Sequence, residues 1–550
     1  MASLSNGGLN ADVIVIGGGP GGSTASTMLA RKGLRVLLLE RDRFPRDHVG
    51  ESLLPASIPV LGELGVLPAI QEAGFLPKWG ATMVWGRESA PWSWYFKETN
   101  RNYPHSYQVW RPTFDHLLLE NSRANGVTVC EGCHVVGVLF EDGKATGVQY
   151  STEDASCLIA RADFIVDASG QSGLLGRQLR LRRWDPYFRN LAVYGYFTGA
   201  RRLLPPDETN IFIESYPHGW FWNIPLHTGW ASVGAVVDSH AAQDEVRRRG
   251  LHGFLVDQIA QAPNITHMLR ESDMVSGPFI VKDWSYASEQ VVGDGYILVG
   301  DAACFVDPLF SSGVHLALMS GVMAAAYVTS ALKDTSMREA AGQVYRELYY
   351  KEYGHFREMA RLFYSSNRTS DSYFWEARRI LEADDLSPRH AFIQAVAGQP
   401  PRGYERVVLD RGEAPGEYLA SVRTVERERA GRRGRLEASK LRSDGILPSL
   451  HGVVPILAPG VGVERKPVIA DGEFEWGHVL TTPGRPEGIP CSGLVAKIVS
   501  LIDGRTPASD ILTALRGDGQ QGGGAQLDQS VMATLQILYV DGTIEDLQGL

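Results

Sequence analysis

The sequence predicts a mixed α/β fold: a Rossmann-type domain carrying an inserted β-sheet, followed by a smaller mixed C-terminal domain. Three observations predict it. Within the first 31 residues an apolar strand runs into a glycine-rich turn and then a helix. Strand-like, aromatic-rich segments lie at about 80–110 and within about 185–285. At 550 residues the chain is too long for one core, and about 2–3 domains are expected. We draw the boundaries at 1–375 and 376–550.

The first strand is Asp12–Ile16, and Gly17-Gly18-Gly19-Pro20-Gly21-Gly22 follows it before the helix-like Ser23–Arg31. Gly17, Gly19 and Gly22 fit G-x-G-x-x-G. The first allows a tight turn, the second lets a pyrophosphate approach the backbone, and the third lets helix and strand pack closely. Leu34–Leu39 reads as a second buried strand ending in Glu40, 18 residues after Gly22. An acid about 20 residues on is the one expected to bind a ribose hydroxyl. Further along, Tyr296–Val299 is a strand that runs into Gly300-Asp301, where an Asp can hold a sugar-alcohol chain and the next amides can face phosphate. The order of strand, turn, helix, strand and acid predicts dinucleotide binding.

Bulk properties exclude several classes. The net charge is -10, with 53 basic and 63 acidic residues, which argues against a nucleic-acid partner. Five scattered cysteines make no disulfide framework and fit a reducing cytosol. The N-terminus shows no basic n-region and no apolar stretch before the first strand, so no secretory signal is expected. The longest weakly polar run, Val314–Leu332, is Ala-rich and contains His315 and Ser320, which suits a buried helix rather than a membrane span. We expect a cytoplasmic protein with no integral membrane part, and assign no metal ligands.

The most distinctive segment is Gly219-Trp220-Phe221-Trp222-Asn223-Ile224-Pro225. Two tryptophans at i and i+2 of an extended segment place both indoles on one side. This Trp-x-Trp-x-Ile-Pro pattern resembles that of the flavin-dependent halogenases, where such a pair separates flavin from substrate. Around it, the glycine fingerprint, Arg111 in Trp110-Arg111-Pro112 and Gly300-Asp301 are similar, in order and spacing, to the FAD fold of the hydroxybenzoate-hydroxylase-like superfamily. The resemblance covers roughly residues 10–370. It implies FAD as cofactor, with Gly17, Gly19, Gly22, Glu40, Ser52, Arg111, Gly300, Asp301 and Pro308 beside it. His48, Gly50 and Glu51 belong to the same Phe-Pro-Arg-x-His-Val-Gly-Glu-Ser stretch as Ser52.

Three further motifs carry the resemblance into chemistry. Phe75-Leu76-Pro77-Lys78-Trp79-Gly80 resembles the halogenases' essential-lysine region. The apolar setting of Lys78 disfavours its charge, and an amine can hydrogen-bond hypohalous acid or form a chloramine. Phe305-Val306-Asp307-Pro308-Leu309-Phe310-Ser311-Ser312-Gly313 has the family's Phe-x-x-Pro-x-x-Ser-x-Gly form. It opens a helix, whose free amides and positive dipole end suit an anion, and by resemblance the amides of Ser312 and Gly313 bind chloride. Phe310 departs from the tryptophan halogenases, which place a glutamate there. A phenol or pyrrole carries its own donor atom and does without that acid. The resemblance is therefore closest to the branch acting on phenolic or pyrrolic rings, often tethered to a peptidyl or acyl carrier protein. The activity it implies is chlorination by hypochlorous acid that passes Trp220 and Trp222 to Lys78.

The remaining segments are less distinctive. The aromatic stretch from Trp85 to Trp110, with a turn at Asn100-Arg101-Asn102, suggests a hairpin or small sheet. Cys130-Glu131-Gly132-Cys133-His134 matches the haem c attachment pattern, but sits between strand-like runs inside the flavin fold with no export signal. The basic run Arg423–Arg435, interleaved with Glu426 and Glu428, reads as a solvated helix or linker. Tyr373–Leu381 and Ala391–Ala397 look helical, Gly452–Val463 and Gly472–Leu480 like strands, and Val495–Ile502, Ala508–Arg516 and Gln529–Asp541 like short helices. A substrate-access or partner-binding role is expected for this C-terminal part. The rival readings are a flavin hydroxylase, a reductase of the geranylgeranyl-reductase type and, from another class, a non-catalytic carrier-binding subunit.

Hydroxylases that use NADPH usually carry Asp-Gly where this chain has Asp167-Ala168, and no second convincing dinucleotide fingerprint is present. A separate flavin reductase is therefore expected to supply FADH2. Rapid mixing of the FAD-bound protein with NADPH leaves the flavin oxidised on this account; reduction within the mixing trace contradicts it.

Overall fold

The computed structural model describes residues 9–86, 90–282, 285–365, 388–397, 431–432, 434–436, 452–482, 485–517 and 524–549. The chain divides into two compact units, Met1–Pro400 and Pro401–Leu550.

In the first unit, Leu9–Ile16 lies between two parallel neighbours, Val36–Glu40 and Leu158–Asp167. Thr128–Glu131 extends this sheet on one side and Tyr296–Leu298 on the other, both parallel. Val13–Ile16 and Val36–Leu39 are buried without interruption, as strands covered on both faces require. The helix Pro20–Arg31 leaves the first strand through the glycine turn and packs against Gly313–Lys333. Gly321 makes that approach possible, because a Cβ there would press on Gly21 O and Thr24. Gly313–Lys333 is the one described helix long and apolar enough to cross a membrane, and 94% of its apolar window is buried inside the fold. It is a core helix, as the Ala-rich run suggested.

The inserted sheet has seven strands in the order Asp273–Lys282, Asn190–Thr198, Trp230–Asp238, Gly219–Pro225, Ile211–Tyr216, Gly80–Val84, Trp92–Tyr95. Alternation divides its residues between two faces. Phe212, Phe221, Val233 and Ala235 join Phe254, Leu255 and Ile265 from the following helices in one apolar core. Trp220, Trp222, Tyr194 and Ile211 stand on the other face and border a cavity. Trp222 pairs directly with Gly234. A Cβ at 234 would fall inside the Trp222 ring, so the glycine is what lets the indole lie flat across the neighbouring strand.

Residues 55–73 form two helices, Ser57–Glu63 and Leu67–Glu72, separated at Gly65, whose φ is +70°. One local expectation is corrected: the aromatic stretch does not fold into a single hairpin about Asn100-Arg101-Asn102. Trp92–Tyr95 pairs with Gly80–Val84, whereas Ser106–Gln108 pairs with Leu76–Lys78. The turn Phe96–Glu98, and Asn100 accepting from Tyr103 N at 2.9 Å, carry the chain out of the larger sheet between them.

In the second unit, Gly462–Ala470, Glu473–Thr482 and Arg485–Cys491 form an antiparallel sheet, and the helices Gly493–Leu501, Ala508–Gly517 and Gly524–Asp541 follow. Ile544–Gln548 returns to pair with Val454–Leu457. Ile498, Ile511, Val531 and Ile544 form its core. Helix Pro388–Ala397, expected from sequence in the C-terminal part, belongs to the first unit. Tyr373–Leu381, and the basic run 423–435 apart from 431–432 and 434–435, lie outside the described residues.

Gly234→Ala forces Trp222 off its seat, an overpacking cost of about 1–3 kcal/mol. The thermal midpoint of the first unit falls by several degrees with FAD content reduced; an unchanged midpoint contradicts the packing described.

Candidate active site

The crevice beyond the carboxyl ends of the parallel strands opens into a cavity of about 600 Å³, the usual position for a nucleotide in such sheets. At one end Gly17, Gly19 and Glu40 border it; at the other are Trp220, Trp222, Pro308 and Gly313, with Ser52, Arg111, Gly300 and Asp301 also in its wall. These residues span nearly three hundred positions of sequence, and the fold brings them together. Gly22, Ser312 and Lys78 do not border it.

The glycine turn has the shape a pyrophosphate needs. Gly17 has φ +102°, a side chain there would strike Ala168 O, and one at Gly22 would strike Gly17 O. Gly22 thus acts through packing. Glu40 accepts from Gly18 N at 2.6 Å and Asp42 N at 2.8 Å, which fixes its carboxylate at the cavity edge with acceptor capacity to spare for a ribose hydroxyl. The Ser52 hydroxyl is buried with no hydrogen-bond partner among the described residues, as expected of a group reserved for a ligand. These features fit FAD.

Arg111 opens the helix Arg111–Ala124. Its guanidinium forms a two-pronged pair with Asp115 at 2.8 and 2.9 Å and donates to Val49 O at 2.7 Å. That bond ties the helix to the His48–Ser52 stretch. Asp301 follows Gly300, whose φ is +58°. Burial pushes the Asp301 carboxyl up to about 7, against the pull of Arg111 and Arg182. The turn itself is held by hydroxyls. Ser320 Oγ accepts from Gly300 N at 2.9 Å, Tyr349 donates to Gly300 O at 2.9 Å, and Tyr286 donates to Asp301 O at 2.6 Å. Asp167 instead closes the turn after its own strand, its oxygens accepting from Ser169 N and Leu175 N.

Trp220 belongs both to the cavity wall and to an aromatic cluster outside it. Its ring lies 6.0 Å from Trp222 and 6.2 Å from Trp85. Trp85 meets Phe363 at 5.6 Å, and Phe363 meets Phe310 at 5.2 Å and Phe392 at 5.8 Å. The Trp222 indole N–H donates to Ser232 Oγ at 3.2 Å. That of Trp220 donates to Tyr364 Oη at 2.6 Å, and Tyr364 donates to Asp307 at 3.0 Å. Asp307 in turn accepts from Leu309 N at 3.0 Å, capping the turn that leads into Ser312 and Gly313. Ser312 is buried, its hydroxyl without a partner among the described residues, at the head of a 21-residue helix.

Lys78 is 2% exposed, and its ammonium nitrogen donates to Leu53 O at 3.0 Å and lies 5.5 Å from the Phe96 ring centre. Leu53 adjoins Ser52, so a single residue step separates the lysine's partner from the cavity wall. Burial alone brings the amine down to about 7. No carboxylate forms an ion pair with it among the described residues.

Comparison with known proteins decides the family. The tryptophan halogenase family model matches residues 97–406 and the FAD-dependent oxidoreductase model residues 12–177. The chain belongs to the flavin-dependent halogenases. A tryptophan 2-halogenase from Chondromyces crocatus is 34% identical over 374 residues, covering 67% of this chain and 70% of that one. A 1H-pyrrole-2-carbonyl-[peptidyl-carrier protein] chlorinase from Pseudomonas fluorescens is 31% identical over 426 residues, 73% of this chain and 92% of that one. Among solved structures, the myxobacterial chondrochloren halogenase CndH aligns with a TM-score of 0.62 and 39% identity over 75% of this chain and 96% of its own. This halogenase is accordingly an FAD-dependent oxidoreductase.

Several contributors to the halogenase site were not assigned a role from sequence: Tyr364, Asp307, Tyr349 and Tyr286; Glu51, in the stretch read as lining the flavin, borders the cavity and accepts from Tyr196 at 2.9 Å. Only the i, i+4 pair Tyr345 and Tyr349, both buried on helix Arg338–Ser365, left a readable signal.

A lysine depressed by burial is charged below its folded midpoint and neutral above it. Carbon-13 NMR of dimethylated or lysine-labelled protein resolves one lysine titrating near pH 7, absent in Lys78→Met. A Lys78 signal titrating near 10 contradicts the burial.

Proposed function

We propose that this halogenase chlorinates an electron-rich aromatic ring, phenolic or pyrrolic, presented on a peptidyl or acyl carrier protein. The observation that carries this reading is the environment of Lys78 and Phe310. The partner of Lys78 is a backbone carbonyl, and Phe310, at the position where tryptophan halogenases carry a glutamate, is an apolar side chain packed on Phe363. With no carboxylate supplied at that position, the substrate must stabilise its own ring cation through an attached oxygen or nitrogen. The pyrrolyl-carrier chlorinase, which this chain matches over 92% of its length, supports a tethered substrate.

The glycine turn, Glu40, Ser52, Arg111 and Asp301 would hold FAD, which, delivered reduced by a separate flavin reductase, would supply two electrons to dioxygen; with two more from chloride, dioxygen becomes hypochlorous acid and water. The residues of the chain do the rest. Amides at Ser312 and Gly313, with the unpartnered Ser312 hydroxyl, hold chloride at the positive end of the helix. Trp220 and Trp222 keep the organic ring out of the cavity and admit only small species. Lys78, neutral for much of its population near pH 7, binds the hypochlorous acid through its nitrogen, by hydrogen bond or as a chloramine, and aims the chlorine at one ring carbon. Chlorine replaces the ring hydrogen, which leaves as a proton, and water is the other product.

The 34% identical tryptophan 2-halogenase favours a second reading, free tryptophan as substrate. One experiment separates the two. The protein is incubated with FADH2, oxygen and chloride together with tyrosyl-carrier, pyrrolyl-carrier or free tryptophan, and products are weighed by mass spectrometry. Exchange of one hydrogen for chlorine on a carrier-bound ring is the expected result, and Lys78→Ala consumes FADH2 without forming it. Chlorination of tryptophan alone establishes the second reading. An oxygenated product overturns both.

A further inference from the structure

The Cys130-Glu131-Gly132-Cys133 motif takes no part in the site described so far, yet it adjoins it. Cys130 lies on Thr128–Glu131, the strand paired with Val36–Glu40, directly beside Leu39. The chain bends at Gly132, φ +72°, and brings Cys133 back so that its backbone N–H donates to Glu40 O at 2.8 Å. Cys133 is buried and borders the nucleotide end of the cavity, while Cys130 is half-buried behind it. Cys130 and Cys133 stand three positions apart on the two sides of this turn, and Cys133 Sγ lies 3.9 Å from Glu131 O. Two guanidiniums flank the pair: Arg43, whose tip would stand 3.4 Å from a side chain at 132, and Arg123, which pairs with Glu131 at 2.6 Å. The neighbouring Cys133 thiol and the Arg123 guanidinium hold the Cys130 thiol below the usual range, which makes it the nucleophile of the two. Cys157, exposed on another segment, is set in no such pair.

We propose that Cys130 and Cys133 are a redox-active dithiol which hypohalous acid converts to a disulfide, and that this disulfide loosens the nucleotide site through Glu40. In the first step Cys130 sulfur attacks the chlorine of hypochlorous acid, forming an S–Cl bond and releasing hydroxide. In the second, Cys133 sulfur displaces chloride from that sulfenyl chloride, the S–S bond forms, and the thiol proton joins hydroxide as water. The protein loses two electrons, which reduce the chlorine to chloride. A disulfide demands its own close approach of the two Cβ atoms, and the strain falls on the Cys133 amide that anchors Glu40. On the proposed function, an enzyme from which hypohalous acid escapes would thus release its flavin when leakage is high, and thiol reductants would restore it.

The test adds one to three equivalents of reagent hypochlorous acid to the full-length protein, so it does not depend on turnover or on the proposed substrate. Non-reducing peptide mapping then follows, with FAD affinity measured by fluorescence before and after dithiothreitol. The expected result is a Cys130–Cys133 cross-linked peptide and an FAD dissociation constant raised about threefold to tenfold, reversed by dithiothreitol. Cys130→Ser keeps its FAD affinity through the same treatment. Oxidation that falls on Cys157 or methionine and leaves both thiols free overturns the proposal. So does a cross-link that forms without changing FAD affinity.

Discussion

The pairing of Trp222 with Gly234 is the constraint on which the rest of the site depends. A strand that carries two indoles on one face can lie inside a seven-stranded sheet only if its neighbour leaves room, and Gly234 leaves it. Once Trp222 is seated, alternation places Trp220 on the same face, and Phe221 is committed to the apolar core behind. A slip of one residue would exchange the faces and bury the indoles in the core. Hydrogen bonds then fix ring orientation. A buried indole N–H without a partner costs about 1–3 kcal/mol, and here both are satisfied, by Ser232 and Tyr364. Through Tyr364 and Asp307 the wall is joined to the turn that opens the helix at Gly313. The two indoles and the turn that opens the long helix are thus one hydrogen-bonded assembly.

Charge is handled differently on the two sides of that assembly. On the nucleotide side, buried ionisable groups are paired or face the cavity. Arg111 and Asp115 satisfy each other in a bidentate pair. Such a pair adds little net stability over an apolar substitute, so its value lies in fixing where the guanidinium and the His48–Ser52 stretch stand. Asp301 has no such bidentate partner among the described residues, and burial raises its carboxyl against the pull of Arg111 and Arg182. Near Lys78 the surroundings are carbonyl and aromatic, which weakens the amine's hold on its proton. A neutral amine reacts with an electrophilic halogen, and an ammonium does not. Burial therefore gives this residue a reactivity that a surface lysine lacks.

Much of this was legible in the sequence wherever the determinant is local. Gly17 and Gly22 announce a turn whose steric demands the structure reproduces. Trp220 and Trp222 declare a shared face through their spacing, and the Ala-rich run 314–332 reads correctly as a core helix. What escaped is what joins distant segments. Tyr364 reaches Trp220 across 144 positions, and Tyr196 reaches Glu51 across 145. Ser106–Gln108 pairs with a three-residue strand about thirty positions earlier, with the hairpin of the larger sheet between them. No periodicity encodes such partnerships, because each depends on where a complete sheet places its edge. Gly65, by contrast, was readable: a glycine inside a helical pattern, at the point where the helix breaks.

We propose that the indole wall is the partition between two chambers, and a crystal of the protein with FAD, chloride and an aromatic acceptor tests this most directly. The isoalloxazine is predicted within the cavity against Trp220 and Trp222, with the acceptor ring beyond them, near the amine of Lys78 and in contact with neither the flavin nor the halide. An acceptor ring stacked against the isoalloxazine, with no indole between, would contradict the partition.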